Sequence, residues 1–193
     1  HPAVIMNFEN IIKELSDQDK GVFQALLKKK EFPQGHILIK EGSIASKHYL
    51  IESGYCRSYF IDNGNDITDF FFFENSFATD FASFCSNQPS KLNLVCEEPT
   101  KLFEIHKKDL EKLYRTNLHF SEIGRLMAEY SFIQVEERMR LLHTENLEIK
   151  YKWMLQKFPT VFQRVPQYHI ASFLGAKPQS LSRIRAKISG KNY

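Results

Sequence analysis

The chain has 193 residues, 42% of them hydrophobic, and a net charge of +3, enough for one large domain or two modest ones with cores of their own. No apolar run approaches the ~18 residues of a membrane-spanning helix, and no secretory leader is visible at His1–Asn10, so the expected location is cytoplasmic. Cys56, Cys85 and Cys96 are widely spaced, which suits buried thiols in a reducing compartment and falls short of the roughly four clustered thiolates of an iron–sulfur centre.

In chain order, the first helix is expected over Asp17 to Lys29. Ser16 is its cap, Asp17 and Asp19 lie in the first turn, and Val22, Phe23, Leu26 and Leu27 make the buried stripe. After Pro33-Gln34-Gly35 the pattern changes to short strands at 37–39, 49–51, 55–61, 67–73, 92–96 and 101–105, rich in β-branched and aromatic residues. Asn63-Gly64 between two of them is a two-residue hairpin signal, because both positions tolerate positive φ. Many short strands separated by turns predict a roll or barrel. A short helix over 109–114 caps it. A long helix follows over 121–142, with Ile123, Leu126, Tyr130 and Ile133 at 3, 4, 3 spacing, which suits either a coiled-coil seam or packing on its own domain. Thr144 is the expected cap of a further helix over 145–158 that Pro159 ends.

The stretch Val165–Ser189 reads as two short helices around a tight turn. Tyr168, Ile170, Ala171 and Leu174 offer a buried face for the first, Gly175 supplies the positive φ of a helix end, and Pro178 suits the first turn of the second. Leu181, Ile184 and Ile188 are its apolar stripe. The opposite face carries Gln179, Ser180, Ser182, Arg183 and Lys187, with no carboxylate. That is what a helix-turn-helix needs: one face holds it to the domain while the other offers donors to a major groove. Charge supports this reading. All 23 acidic residues and 18 of the 26 basic ones precede Tyr151; Tyr151–Tyr193 holds the other eight (Lys152, Lys157, Arg164, Lys177, Arg183, Arg185, Lys187, Lys191) and no acid. A segment so polarised calls for a polyanion, and its Pro and Gly breaks rule out a long helix lying on a membrane.

The segment VPQYHIASFLGAKPQSLSRIR resembles the DNA-binding element of the Crp–Fnr bacterial transcription regulators, and the glycine spacing at Gly35, Gly42 and Gly54 is similar to that of their sensor domain. The resemblance runs from about Phe8 onward. It implies an α+β chain: an N-terminal cyclic-nucleotide-binding-like β-roll (jelly-roll) sensor domain over 1–118, a dimerisation helix and hinge over 119–146, and a C-terminal all-α, winged helix-turn-helix domain over 147–193. The C-terminal wing of many relatives is absent from this sequence, which leaves Thr160–Val165 as the expected place for one.

The resemblance also implies site residues. Where cyclic-nucleotide binders carry glycine-glutamate and then arginine followed by a small residue, this sequence has Thr79-Asp80 and Ser90-Lys91. Without the phosphate-clamping arginine, cyclic AMP is not expected. Candidate ligand-binding residues are Phe77, Thr79, Asp80, Phe81, Ser90, Lys91 and Tyr130, for another small-molecule effector; a site plugged by Phe77, Phe81 and Phe84 is the competing reading. Ile123, Leu126, Met127, Tyr130 and Ile133 become the homodimer interface. Arg183 matches the base-reading arginine, Gln179 favours adenine, Ser180 and Ser182 reach bases or phosphates, and Lys177, Arg185 and Lys187 hold phosphates or neighbouring elements. Arg185 is equally placed to be an intramolecular partner. The implied partners are double-stranded DNA, a second copy of the chain and RNA polymerase, with no cofactor, no metal and no catalysis. A metal-dependent barrel enzyme finds no support, since His36, His48 and His106 are isolated. A ligand-binding adaptor acting only through protein contacts is the remaining alternative.

Overall fold

The structure, a computed structural model, describes residues 13, 15–188 and 190. Ser189, Lys191 and everything before Lys13, Phe8 included, lie outside the described residues. The chain divides into two compact units, residues up to 60 with 70–130, and residues 61–69 with 131 onward.

The first unit opens on α1 (Asp17–Leu26), whose N-cap Ser16 accepts from the Asp19 amide at 3.1 Å. Its strands are β1 (Lys28–Phe32), β2 (Ile37–Ile39), β3 (Lys47–Ser53), β6 (Phe77–Ala78), β7 (Asn93–Cys96) and β8 (Thr100–His106), and it shares β4 (Cys56–Asp62) and β5 (Asn65–Phe72) with the second. They form two four-stranded sheets, ordered β1-β8-β3-β6 and β2-β7-β4-β5. Short helices α2 (Phe81–Ser86) and α3 (Lys107–Thr116) and the start of α4 (Leu118–His143) complete it.

Alternation along β3 sets what each face sees. Tyr49 points into the roll, where its hydroxyl donates to the Leu38 carbonyl at 3.2 Å in the opposite sheet, and Ile51 follows it into a core with Cys56, Leu94, Cys96 and Leu102. His48, paired in register with Ile105, lies on the other face, toward the helices. Asn63 and Gly64 both take positive φ (48° and 81°), as the hairpin between β4 and β5 requires.

Several expectations are corrected. Lysines 28–30 do not end the first helix. Leu27 turns extended and they pair along β8 as an exposed edge strand, where lysines discourage further strand pairing. Val22 is 42% exposed rather than part of the buried stripe. Cys56 and Cys96 are buried, but Cys85 is exposed.

The second unit holds the rest of α4, then α5 (Leu147–Lys157), α6 (Val161–Arg164), α7 (Gln167–Phe173) and α8 (Pro178–Ile188). Asn146, not Thr144, caps α5. Its side chain accepts from the Glu148 and Ile149 amides, while the Thr144 hydroxyl turns back to the Arg140 carbonyl. Thr160–Val165 contains the helical turn α6, so no wing forms there. The β4–β5 hairpin tip belongs to this unit. Ser172 Oγ accepts from the Thr68 amide at 2.9 Å, and Arg138 donates to the carbonyls of Thr68 (2.9 Å) and Phe173 (2.7 Å) while lying over the Phe173 ring.

Candidate nucleic-acid interface and effector sites

Helices α7 and α8 and the turn between them build the basic surface. Ile170, Ala171, Phe173 and Leu174 are fully buried and anchor α7. Tyr168, expected inside, is 59% exposed, and His169 is the buried neighbour. The turn closes as a Schellman arrangement: the Ala176 amide donates to the Ala171 carbonyl (2.9 Å) and the Gly175 amide to that of Ser172 (3.1 Å), with Gly175 at φ +62°. A Cβ on Gly175 would be strained by that φ and would meet Leu142 Cδ2 at 3.3 Å. Pro178 is the first residue of α8.

Leu181 fixes α8 by full burial, with Ile184 half-buried beside it. Lys177, Gln179, Ser182, Arg183, Arg185 and Lys187 are exposed, and Ser180 is half-buried. Lys177 and Arg183 have no carboxylate partner among the described residues. Two members are tied internally. Arg185 lies over the Phe162 ring at 5.6 Å, and Lys187 reaches Glu148 at 3.0 Å. Glu148 also accepts from Lys152, and these two hydrogen bonds pull its carboxyl down to about 2, so it stays ionised. Sequence reasoning missed this pairing because 39 residues separate its ends.

The expected effector residues occupy several settings. Asp80 is buried at the N-terminus of α2, where it accepts from the Ser83 amide (3.1 Å) and the Ser90 hydroxyl (2.7 Å). Thr79 donates to the Lys47 carbonyl at 2.9 Å, and Lys91 is exposed. Inside the roll, Lys47 pairs with buried Glu104 at 2.7 Å. Asp80 and Ser90 thus satisfy each other, and the roll interior carries a buried carboxylate, a poor neighbour for a phosphate. Phe77 and Phe81 belong elsewhere, to a cavity on the helix side of the β3–β8 sheet.

Residues 29–117 match the cyclic nucleotide-binding domain family. No curated protein is similar in sequence. Solved structures similar to the chain include FixK2 from Bradyrhizobium japonicum, at 15% identity and a TM-score of 0.75 over 86% of this chain and 85% of that one. A crp/fnr-family transcriptional regulator from Eubacterium rectale superposes with a TM-score of 0.69 at 16% identity, over 93% and 87%. Catabolite Activator Protein from Thermus thermophilus gives 0.59 at 16%, over 94% and 87%. The chain has the Crp–Fnr fold.

In this Crp–Fnr fold, α4 is the long helix. Ile123 and Met127 line the helix-side cavity, Tyr130 is half-buried, and Leu126 and Ile133 are exposed (36% and 49%). A second apolar line was missed from sequence. Phe132, Val135, Met139 and Leu142 repeat at 3, 4, 3 spacing and are 66, 61, 53 and 43% exposed, on a different side of the helix from Leu126 and Ile133. Among the described residues there is no cluster of His, Cys, Asp or Glu able to hold a metal ion, and no helix long and apolar enough to cross a membrane.

Proposed function

We propose that the chain is a DNA-binding transcription regulator. It acts as a homodimer on a near-palindromic operator and is controlled by a small ligand other than cyclic AMP. The observation that carries this reading is the exposed face of α8, which presents Gln179, Ser182 and Arg183 beside Lys177 without a carboxylate, while Leu181 anchors the opposite face. Two such helices would enter successive major grooves about one turn apart. Arg183 reads a guanine, Gln179 favours adenine, and Ser180 and Ser182 reach bases or phosphates. Lys177 binds phosphate. Arg185 and Lys187, held by Phe162 and Glu148, keep the helix in place and reach phosphate secondarily. The exposed apolar lines of α4 supply the contact between copies, and RNA polymerase is the further partner such a regulator needs.

The test is selection of bound duplexes from a random pool with the wild type and Arg183→Ala side by side. A near-palindromic motif is expected, with one G·C preference per half-site lost in the variant, worth ~1–3 kcal/mol. Absence of enrichment, with and without metabolite extract, would replace the regulator by the adaptor that acts through protein contacts alone.

A further inference from the structure

The helix side of the β3–β8 sheet encloses a cavity of about 170 Å³ within the first unit, with His48, Phe77, Phe81, Phe84, Tyr114 and Phe120 among its walls. Such a volume is large for a gap in a close-packed core and comparable with the ~150 Å³ apolar cavities that stay dry and accept benzene. It lies outside the roll interior. Its strand residues His48 and Ile105 occupy the face opposite to Tyr49 and Glu104, and none of Thr79, Asp80, Ser90 and Lys91 lines it.

Among the described residues, the polar side chains in this wall are those of His48, Cys85 and Tyr114, and His48 is the one imidazole. Its ring sits edge-on to Phe84 with centroids 4.2 Å apart, edge-on also to Phe77 and Phe81, and it makes no hydrogen bond among the described residues. Burial among these rings holds its pKa down at about 4, so at neutral pH the ring carries one N–H and one free lone pair. A ligand that brings a donor to this lone pair gains a hydrogen bond that none of the described residues supplies. None of the described wall residues is a lysine, arginine or carboxylate, and Lys107, whose ammonium lies 5.1 Å from the centroid of the Phe84 ring, is engaged by the Phe84 carbonyl and Asn87, so a charged ligand is disfavoured.

We infer that this cavity is a binding site for a small neutral aromatic molecule bearing one hydroxyl or N–H donor, of the phenol or indole class, whose donor pairs with His48. The walls explain the shape selectivity. Gly124 of α4 lets the Tyr114 ring lie against the helix backbone, since a Cβ there would stand 2.9 Å from Tyr114 Cζ. Because Ile123, Gly124 and Met127 are also walls, an occupant presses directly on α4. The inference names the effector class that the reading as a regulator leaves open, but binding is measured on the protein without DNA, so either can fail alone.

The experiment is calorimetry and thermal melting of the full chain with phenol, indole, benzene and benzoate. Phenol and indole are expected to bind and raise the melting temperature, benzene to bind more weakly, and benzoate not to bind. His48→Leu should lower phenol affinity roughly tenfold, to the level of benzene, while benzene affinity changes less than about threefold. Met127→Trp, which fills the cavity, should abolish all binding. Nuclear Overhauser contacts from phenol to the Ile123 and Met127 methyl groups in the wild type provide a measurement that needs no variant. The inference is overturned if none of the neutral probes binds the wild type. It is equally overturned if His48→Leu leaves phenol affinity unchanged, if benzoate binds as tightly as phenol, or if those methyl contacts are missing.

Discussion

At the scale of single residues, the side chains that matter most are those whose polar atoms are enclosed. Lys150 is buried and donates to the carbonyls of Leu142 (3.3 Å) and Leu174 (2.9 Å), so one ammonium closes the ends of two helices. Burial also pushes its pKa down. His48 shows the same physics with a measurable sign. Its folded pKa is about 4, against 6.5 unperturbed. Between those values the unfolded chain takes up a proton that the folded chain does not, so stability falls as pH drops from 6.5 to 4 and is restored as pH rises. The whole effect amounts to about 3 kcal/mol. Denaturant titrations across this window should show the wild type losing that much relative to His48→Leu. Parallel curves for the two proteins would mean that the imidazole is solvated.

At the scale of elements, α4 and the α7–α8 pair illustrate two kinds of legibility. The turn between α7 and α8 was readable because its chemistry is local: a positive φ at Gly175 and a first-turn proline three residues on require no distant partner. The seam of α4 was not. Periodicity picked out Ile123, Leu126, Tyr130 and Ile133, but a helix with apolar residues on several sides gives no sign of which side meets its own unit. The cavity accounts for Ile123 and Met127, which leaves Phe132, Val135, Met139 and Leu142 as the longest exposed line. Val135→Glu with Met139→Glu is expected to shift a dimer to monomer in sedimentation, weakening association more than tenfold, since each buried glutamate would lack a partner. Loss of the dimer only with Leu126→Glu and Ile133→Glu would assign the contact to the other line.

At the scale of the whole molecule, charge is divided along the sequence. Every acidic residue precedes Tyr151, and eight cations follow it. Binding that rests on this field must weaken with salt, because each phosphate contact releases condensed counterions. The slope of log affinity against log salt is expected to fall by about one per half-site in Lys177→Ala, with the preferred sequence unchanged. Arg183→Ala should alter the preferred sequence as well. A Lys177→Ala slope equal to that of the wild type would remove this lysine from the DNA contact.

What the sequence determined by itself was whatever depends on short-range chemistry or on a sum over residues. The strands and their turns, the Asn63-Gly64 hairpin, the cap at Ser16, the glycine-turn pair of helices and the separation of charge all belong here, as does the likeness to Crp–Fnr regulators. Tertiary structure decided the rest. Lys28–Phe32 became a strand only because the edge of β8 was there to pair with it, a contact across about seventy residues that no local propensity encodes. Asp80 and Ser90 hydrogen-bond each other, and Lys187 reaches back to Glu148, because the fold brought them together. The cavity beside His48 follows from the same cause. Its walls come from four helices and a sheet, and whether such surfaces close completely or leave a void is fixed by their three-dimensional fit and not by any stretch of sequence.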